Sequence, residues 1–399
     1  MRHQPCPTDR RTFLRRGIAL AAGAPLALAF RDVLTGADAT SPPGAGSADP
    51  RSQSTVAIVP CRSYGPEVRT ALARCFDLLG GLGGLVKDKT VTVKINLTGT
   101  NFMPLFDRPV GESYMTHPAT AVALGALLFD AGARRVRWVE STQSRAGLET
   151  TLDLADWDVN ALLALGKVEF ENTRNLGKGS RYAHLRVPTG GHLFSAFELN
   201  HCYEETDVMV SLCKLKEHLT AGVTLSMKNL FGLTPNALYS TQAGSEEATD
   251  GRGPLHDPRE YPKLHLPGFK GTDRSTDAGH RVPRIVTDLC AARPIHLAII
   301  DGITAMSGGE GWWCATDRKI RLTTPGVLIT GLNPVSTDAV GTALMGFADP
   351  RAPRGKPPFQ HCDNHLLLAE QAGLGIADLA RIEVRGLTIE KARYGYSKT

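Results

Sequence analysis

Apolar residues along this chain follow two periods in turn. Short β-branched runs bounded by polar or Gly-rich turns predict strands at 56–59, 90–95, 136–139, 168–170, 208–212, 296–300, 327–330 and 381–384. Between them, helical patterns run over 67–79, 116–131, 156–165, 284–292, 333–345 and 365–372. Thr116-His117-Pro118 and Asn333-Pro334 are helix starts, and Gly80 and Gly132 are stops. This alternation predicts an α/β fold with a mainly parallel β-sheet flanked by helices on both faces. Residues 172–200 are Gly-rich and hold a hairpin. A long polar insertion, 234–283, interrupts the alternation with Gly, Pro, Asp and His. A stretch of that length reads as a lid or oligomer contact, or else as a plain surface insertion.

The run after the strand at 208–212 carries the most polar detail. Lys214, Lys216 and His218 lie where that strand ends. Val223, Met227 and Leu230 recur at helical spacing, and Thr220, Thr224 and Lys228 stand four apart as a second, polar stripe. The pattern predicts strand, short basic turn and helix, closed by Gly232 as a C-cap. Ligands of open α/β sheets bind at such strand ends, and helix N-termini favour anions. The competing reading is a solvated Lys-rich turn before a core helix.

Other polar residues fall at the same topological place. Lys94 and Asn96 follow one strand, Glu140, Ser141 and Thr142 another, Asp301 a third and Asn333 a fourth, while His117 opens a helix. Parallel strands point all their carboxyl ends to one side, so these groups are expected to converge. Lysines with a histidine and amides suit a small anionic ligand, carboxylate or phosphate. Asp301, Glu310 and Asp338, with Glu140, have the chemistry to hold a hard divalent cation, against capping and turn roles for the same acids. The Trp312-Trp313 pair reads as core or surface aromatics, or as a stacking platform. Sequence signatures for P-loop nucleotide binding, serine hydrolase elbows and HExxH zinc sites are absent.

Composition changes the picture mainly at the N-terminus. Arg10-Arg11 ahead of a modest apolar run, with Ala37-Asp38-Ala39 after it, reads as a twin-arginine signal peptide over residues 1–39. The partner this implies is the twin-arginine export machinery, and the destination is periplasmic or otherwise exported. The apolar run is too short and too rich in Gly and Ala for a membrane span, so no stable span is expected after cleavage. That route carries folded proteins and leaves any cofactor unnamed. Residues 40–54 are a Pro-, Gly- and Ser-rich linker to an α/β domain at 55–390. The full chain has a formal net charge of +5; the leader holds six arginines and three aspartates, so the remainder carries +2. So small an excess gives no support for nucleic-acid binding. Seven cysteines remain after Cys6, none spaced C-x-x-C, which removes zinc-ribbon and ferredoxin patterns. They read as buried apolar residues, with a Cys202–Cys213 pairing left open.

Five stretches together resemble the bacterial and archaeal family called domain of unknown function 362. They are Lys94-Ile95-Asn96-Leu97, Thr116-His117-Pro118 with Gly132-Ala133, Lys214 through Lys228-Asn229-Leu230-Phe231-Gly232, Ile299-Ile300-Asp301-Gly302 with the 308–311 loop, and Asn333-Pro334-Val335 through Asp338-Ala339-Val340. The resemblance covers about residues 55–386. Some relatives carry a ferredoxin-like cysteine segment, which this chain lacks. The reading that results is an exported enzyme acting on a small anionic substrate at the carboxyl edge of the sheet, redox or metal-assisted variants included. Lys94, Asn96, Lys214, Lys216, Thr220, Thr224, Lys228 and Asn229 are its candidate binding residues. His218 and His117 are the candidate acid–base groups, with Glu140 and Asp301 orienting partners. The alternative is a non-catalytic periplasmic binding or assembly protein that uses the same basic cleft.

Overall fold

The computed structural model describes residues 54–98, 102–261, 263–316 and 320–396. The leader and residues 40–53 of the expected linker lie outside them. Fourteen strands are found among the described residues. Eight form one sheet: β1 (Ser54–Pro60), β2 (Thr90–Lys94), β3 (Arg135–Glu140), β4 (Val168–Asn172), β7 (Val208–Lys214), β10 (Leu297–Gly302), β13 (Val327–Gly331) and β14 (Ile382–Gly386), in the order β14-β1-β13-β10-β7-β2-β3-β4. The others make three small hairpins: β5 (Ala183–Arg186) with β6 (Ala196–Leu199), β8 (Glu217–His218) with β9 (Gly222–Val223), and β11 (Ala305–Ser307) with β12 (Arg321–Thr323). The first of these is the hairpin expected within 172–200.

All neighbours in the large sheet are parallel except across β13, which runs antiparallel to both β1 and β10. One expectation falls with that strand. Asn333 follows β13 and therefore lies at the edge opposite to the ends of β2, β3, β7 and β10. There it caps the helix it opens, accepting from the Ser336 amide at 3.0 Å.

The sheet is buried on both faces, as its apolar strands require. In β7, Val208, Val210 and Leu212 point into one core and Met209 and Cys213 into the other. Helices α1 (Glu67–Leu78) and α2 (Pro118–Asp130) cover the first face. Helices α3 (Leu225–Asn229), α4 (Ala278–Ala292), α5 (Pro334–Leu344) and α6 (His365–Gln371) cover the second. The helix expected over 156–165 is shorter, Val159–Leu163, starting only after Asp156 takes a left-handed φ of 59°, and an unexpected helix, Leu148–Asp153, precedes that turn. The described cysteines are all buried, and Cys202 and Cys213 are not paired with each other.

Helix α4 starts six residues earlier than its apolar period suggests and carries Pro283 inside it. A proline there leaves the carbonyl four residues back without its helical donor. That carbonyl belongs to Gly279, and the Asp363 amide donates to it at 2.8 Å. The last part of the expected insertion is thus helix. Tyr239, Ala248, Leu255 and Leu266 of the same segment are buried.

Candidate functional site

The run after β7 folds differently from its helical pattern. Leu215 still pairs with β10, its amide donating to the Asp301 carbonyl at 3.0 Å. The chain then turns back through the β8–β9 hairpin. Gly222 sits at φ 74°, with Phe359 packed where a side chain would stand. Helix α3 begins only at Leu225. Its first amides are capped from a distance: Asp338 of α5 accepts from Ser226 N at 2.9 Å, Met227 N at 2.8 Å and Ser226 Oγ at 2.6 Å. Thr220 and Thr224 therefore precede the helix and form no stripe with Lys228. Thr224 donates to the Glu217 carbonyl at 3.2 Å and closes the hairpin. Gly232 lies within a 3₁₀ turn, Leu230–Leu233. Its missing side chain admits Lys94 Nζ and Glu140 Oε1, which a Cβ would meet at 2.9 and 3.1 Å.

The strand-end residues separate into three groups. On the α1–α2 face, Lys214 continues the Val208-Val210-Leu212 row and pairs with Asp301 at 3.2 Å, both 0% exposed. Asp301 also accepts from Tyr64 Oη at 3.0 Å, Thr120 Oγ1 at 3.0 Å and Ile303 N at 3.1 Å. Lys214 donates to Tyr64 Oη and to the Thr304 carbonyl. His117 stacks on Tyr64 with ring centroids 3.5 Å apart, and its Nδ1 accepts from the Ala119 amide to cap α2. Burial first, and then the neighbouring Lys214, lower the His117 pKa to about 3.

The second group faces α3. Lys94 and Glu140 pair at 2.6 Å with side chains 1% and 5% exposed. Glu140 accepts from the amides of Leu97 and Ser141 at 2.7 and 3.0 Å. Asn229 donates to the Lys94 carbonyl and Ser211 Oγ, and accepts from Asn96 at 3.0 Å. In both groups burial pulls the lysine below its usual pKa while the paired carboxylate opposes it. Each carboxylate is closed within its own donors, which suits a scaffold of the edge rather than a group that meets substrate.

The third group lies beyond the strand ends. Lys216 is 1% exposed and donates to two carbonyls, Tyr114 at 2.6 Å and Glu310 at 2.9 Å. Its charge meets no carboxylate within ion-pair distance among the described residues. Lys228 is half-buried, and its ammonium rests 4.5 Å above the Phe231 ring; among the described residues it has no hydrogen bond or ion pair. Burial leads in lowering both, Lys216 to about 7 and Lys228 to about 8, with Glu310 opposing. His218 accepts from the Thr220 amide on Nδ1 at 3.2 Å, with Glu310 Oε2 3.6 Å from the same nitrogen. A neutral His218 therefore carries its proton on Nε2. Burial and the charges of Lys228 and Lys216 hold its pKa well below the ordinary histidine value.

Three members of this group carry no sequence signal. Arg252, from the insertion, donates to the Thr234 carbonyl at 2.7 Å and to Ser141. His256 packs edge-on against Phe231 at 5.2 Å. His365 opens α6 and is 0% exposed; it lies by the Ala221 carbonyl, yet neither ring nitrogen has a hydrogen-bond partner of normal geometry. Both histidines lie within electrostatic reach of His218.

The expected cation site does not assemble. Asp301 is paired with Lys214, Glu310 accepts from Leu219 N at 2.7 Å, and Asp338 caps α3. Among the described residues, no three His, Cys, Asp or Glu side chains gather as metal ligands. Two surface depressions, at Lys178–Arg181 with His201 and at Thr189–His192 with Gln371, share no residue with the third group. No helix among the described residues is long and apolar enough to cross a membrane.

Residues 91–343 match the family described as Domain of unknown function (DUF362). A thylakoid-associated protein of Synechocystis sp. is 26% identical over 247 residues, covering 52% of this chain and 68% of that protein. Among solved structures, the lactate racemase apoprotein from Thermoanaerobacterium thermosaccharolyticum aligns at TM-score 0.39 and 12% identity, over 75% of this chain and 58% of that one. A Thermotoga maritima protein aligns at TM-score 0.31 and 11% identity, over 67% of this chain. The chain spans 58% and 55% of the lengths of these two structures.

Proposed function

The chain belongs to the family Domain of unknown function (DUF362), and from its edge site we propose that it is an enzyme acting on a small anionic substrate held between Lys216 and Lys228. The observation that carries this is a pair of cations with no carboxylate at ion-pair distance among the described residues. An ammonium group removed from water normally finds a carboxylate. Lys216 has two carbonyls and the Tyr114 ring, and Lys228 has only an aromatic face. A bound anion supplies what both lack. His218 is the acid–base group of this reading, since it is neutral, stands in the same group and has its tautomer set by Thr220. His117 is less suited, because its ring is stacked on Tyr64 and stands in the Lys214–Asp301 group, apart from Lys216 and Lys228. A thermal-shift series with small carboxylates and oxyanions tests the proposal. A ligand that binds the native state raises the melting temperature, and the rise should vanish in Lys228→Ala. A rise that persists in that variant would count against this site. A ligand that binds without ever being turned over would favour a periplasmic binding or assembly role for the same cleft.

Export is part of the proposal and rests on Arg10-Arg11 with Ala37-Asp38-Ala39. Changing both arginines to lysine should leave full-length precursor in the cytoplasm, read by immunoblot of cell fractions. Unchanged processing and periplasmic yield would refute it.

The insertion is proposed as a lid, because Arg252 and His256 bring it to the site. Ligand should then slow proteolysis within 234–283 by removing the locally open state a protease needs. Equal cleavage rates with and without an anion shown to bind would leave the segment a surface insertion.

A further inference from the structure

We infer that the ligand of this edge is a compact dianion, a small dicarboxylate or a phosphomonoester, rather than a monocarboxylate; the inference rests on the anion site proposed above. Four cationic side chains, Lys94, Lys216, Lys228 and Arg252, face two carboxylates, Glu140 and Glu310. Glu140 is consumed by Lys94 at 2.6 Å, with Arg252 next in reach. Glu310 is shared by Lys216 and Lys228 and spends one oxygen on the Leu219 amide. With all four cations charged, two positive charges are left over in a place that burial makes costly for charge. A monoanion neutralises one of them and leaves the other as unfavourable as before.

His365 is an independent sign of a ligand. A fully buried imidazole with neither nitrogen hydrogen-bonded is uncommon in a native interior. It lies within electrostatic reach of Lys228 and of His218. Being neutral, it adds no charge, and its one N–H donates to an anion where it is not spent on the Ala221 carbonyl beside it. The other groups facing the lysines are the Cys213 and Cys314 thiols near Lys216, and His256 near His218. None of these supplies a further negative charge at neutral pH.

The lysines also predict how the site loads. Lys216 and Lys228 sit at about 7 and about 8, below the ordinary lysine value. A dianion favours their charged forms, so binding takes up protons and weakens as pH rises from 7 to 9.

Isothermal titration of the full chain with sulfate, malonate and acetate tests the inference, in buffers of different ionisation enthalpy and with Lys228→Met as the control. Sulfate and malonate keep two charges over this pH range, so a weakening with pH belongs to the protein. Both should bind about tenfold or more tighter than acetate, with buffer-dependent heat showing proton uptake, and Lys228→Met should erase the advantage. Preference for sulfate over malonate points to a phosphomonoester, and the reverse to a dicarboxylate. Acetate binding as tightly as the dianions, and lost in Lys228→Met, overturns the dianion and leaves the anion site standing. Binding of all three that is unaffected by Lys228→Met, or no binding at all, overturns both.

Discussion

Asp301→Ala should destabilise the fold by about 3–5 kcal/mol at pH 7, the range for a buried charge stripped of its partner. Lys214 and Asp301 are both fully buried. Without the carboxylate, Lys214 keeps only neutral acceptors, the Tyr64 hydroxyl and the Thr304 carbonyl. Burial already pulls its pKa down with Asp301 opposing, so losing Asp301 drives it toward the neutral amine. Neutralising a lysine costs about 1.4 kcal/mol for each pH unit below its unperturbed pKa, roughly 5 kcal/mol at pH 7, and this caps the share due to the stranded charge, to which the Tyr64, Thr120 and Ile303 donors left without Asp301 add a pH-independent share. The sign of the pH dependence follows. The unfolded variant binds a proton at Lys214 that the folded variant has lost, so its stability relative to the native chain rises with pH. At pH 9 the stranded-charge share should shrink to about 2 kcal/mol. Guanidinium denaturation at both pH values measures it. A deficit below about 1 kcal/mol, or one that does not shrink, would show that Asp301 is not the counter-ion and return it to the candidate orienting residues of the site.

Lys94 and Lys214 were expected to converge at the sheet edge, and the two-residue alternation of their strands separates them. Lys214 extends the row Val208-Val210-Leu212, whereas Lys94 extends Thr92 onto the opposite face, so two lysines at neighbouring strand ends serve different cores. That division was legible in the alternation. The direction of β13 was not, because an apolar run shows that a strand exists and says nothing of its sense; Asn333 was therefore expected at the wrong edge. The helix after β7 was expected too early for a different reason. Its cap, Asp338, lies 112 residues away from Ser226, and no local signal marks a start at Leu225. Arg252, His256 and His365 belong to the same class. Each comes from a segment with no motif, and only the folded chain brings it beside Lys228.

Lys228→Met should weaken binding of the anion roughly ten- to a hundredfold while leaving the fold as stable as before, or slightly more so. A charge-assisted contact to a bound anion is worth about 1.5–3 kcal/mol, or roughly ten- to a hundredfold in affinity. Met keeps an unbranched apolar stem over Phe231, so packing is retained. The charge it removes has no hydrogen bond or ion pair among the described residues, and its pKa is lowered to about 8, so in the empty site that charge opposes folding. Removing it relieves that cost, as expected where function is kept at the expense of stability. Lys216→Ala should behave differently. It too should weaken binding, but it also strips the Tyr114 and Glu310 carbonyls of their donor and opens a cavity at a fully buried position. Each unpaired carbonyl costs about 1–3 kcal/mol, so its melting temperature should fall. Thermal unfolding of both variants, with and without malonate, separates these outcomes. If Lys228→Met lowered the melting temperature as far as Lys216→Ala does and left affinity intact, Lys228 would be a packing residue and the edge site would lose its principal cation.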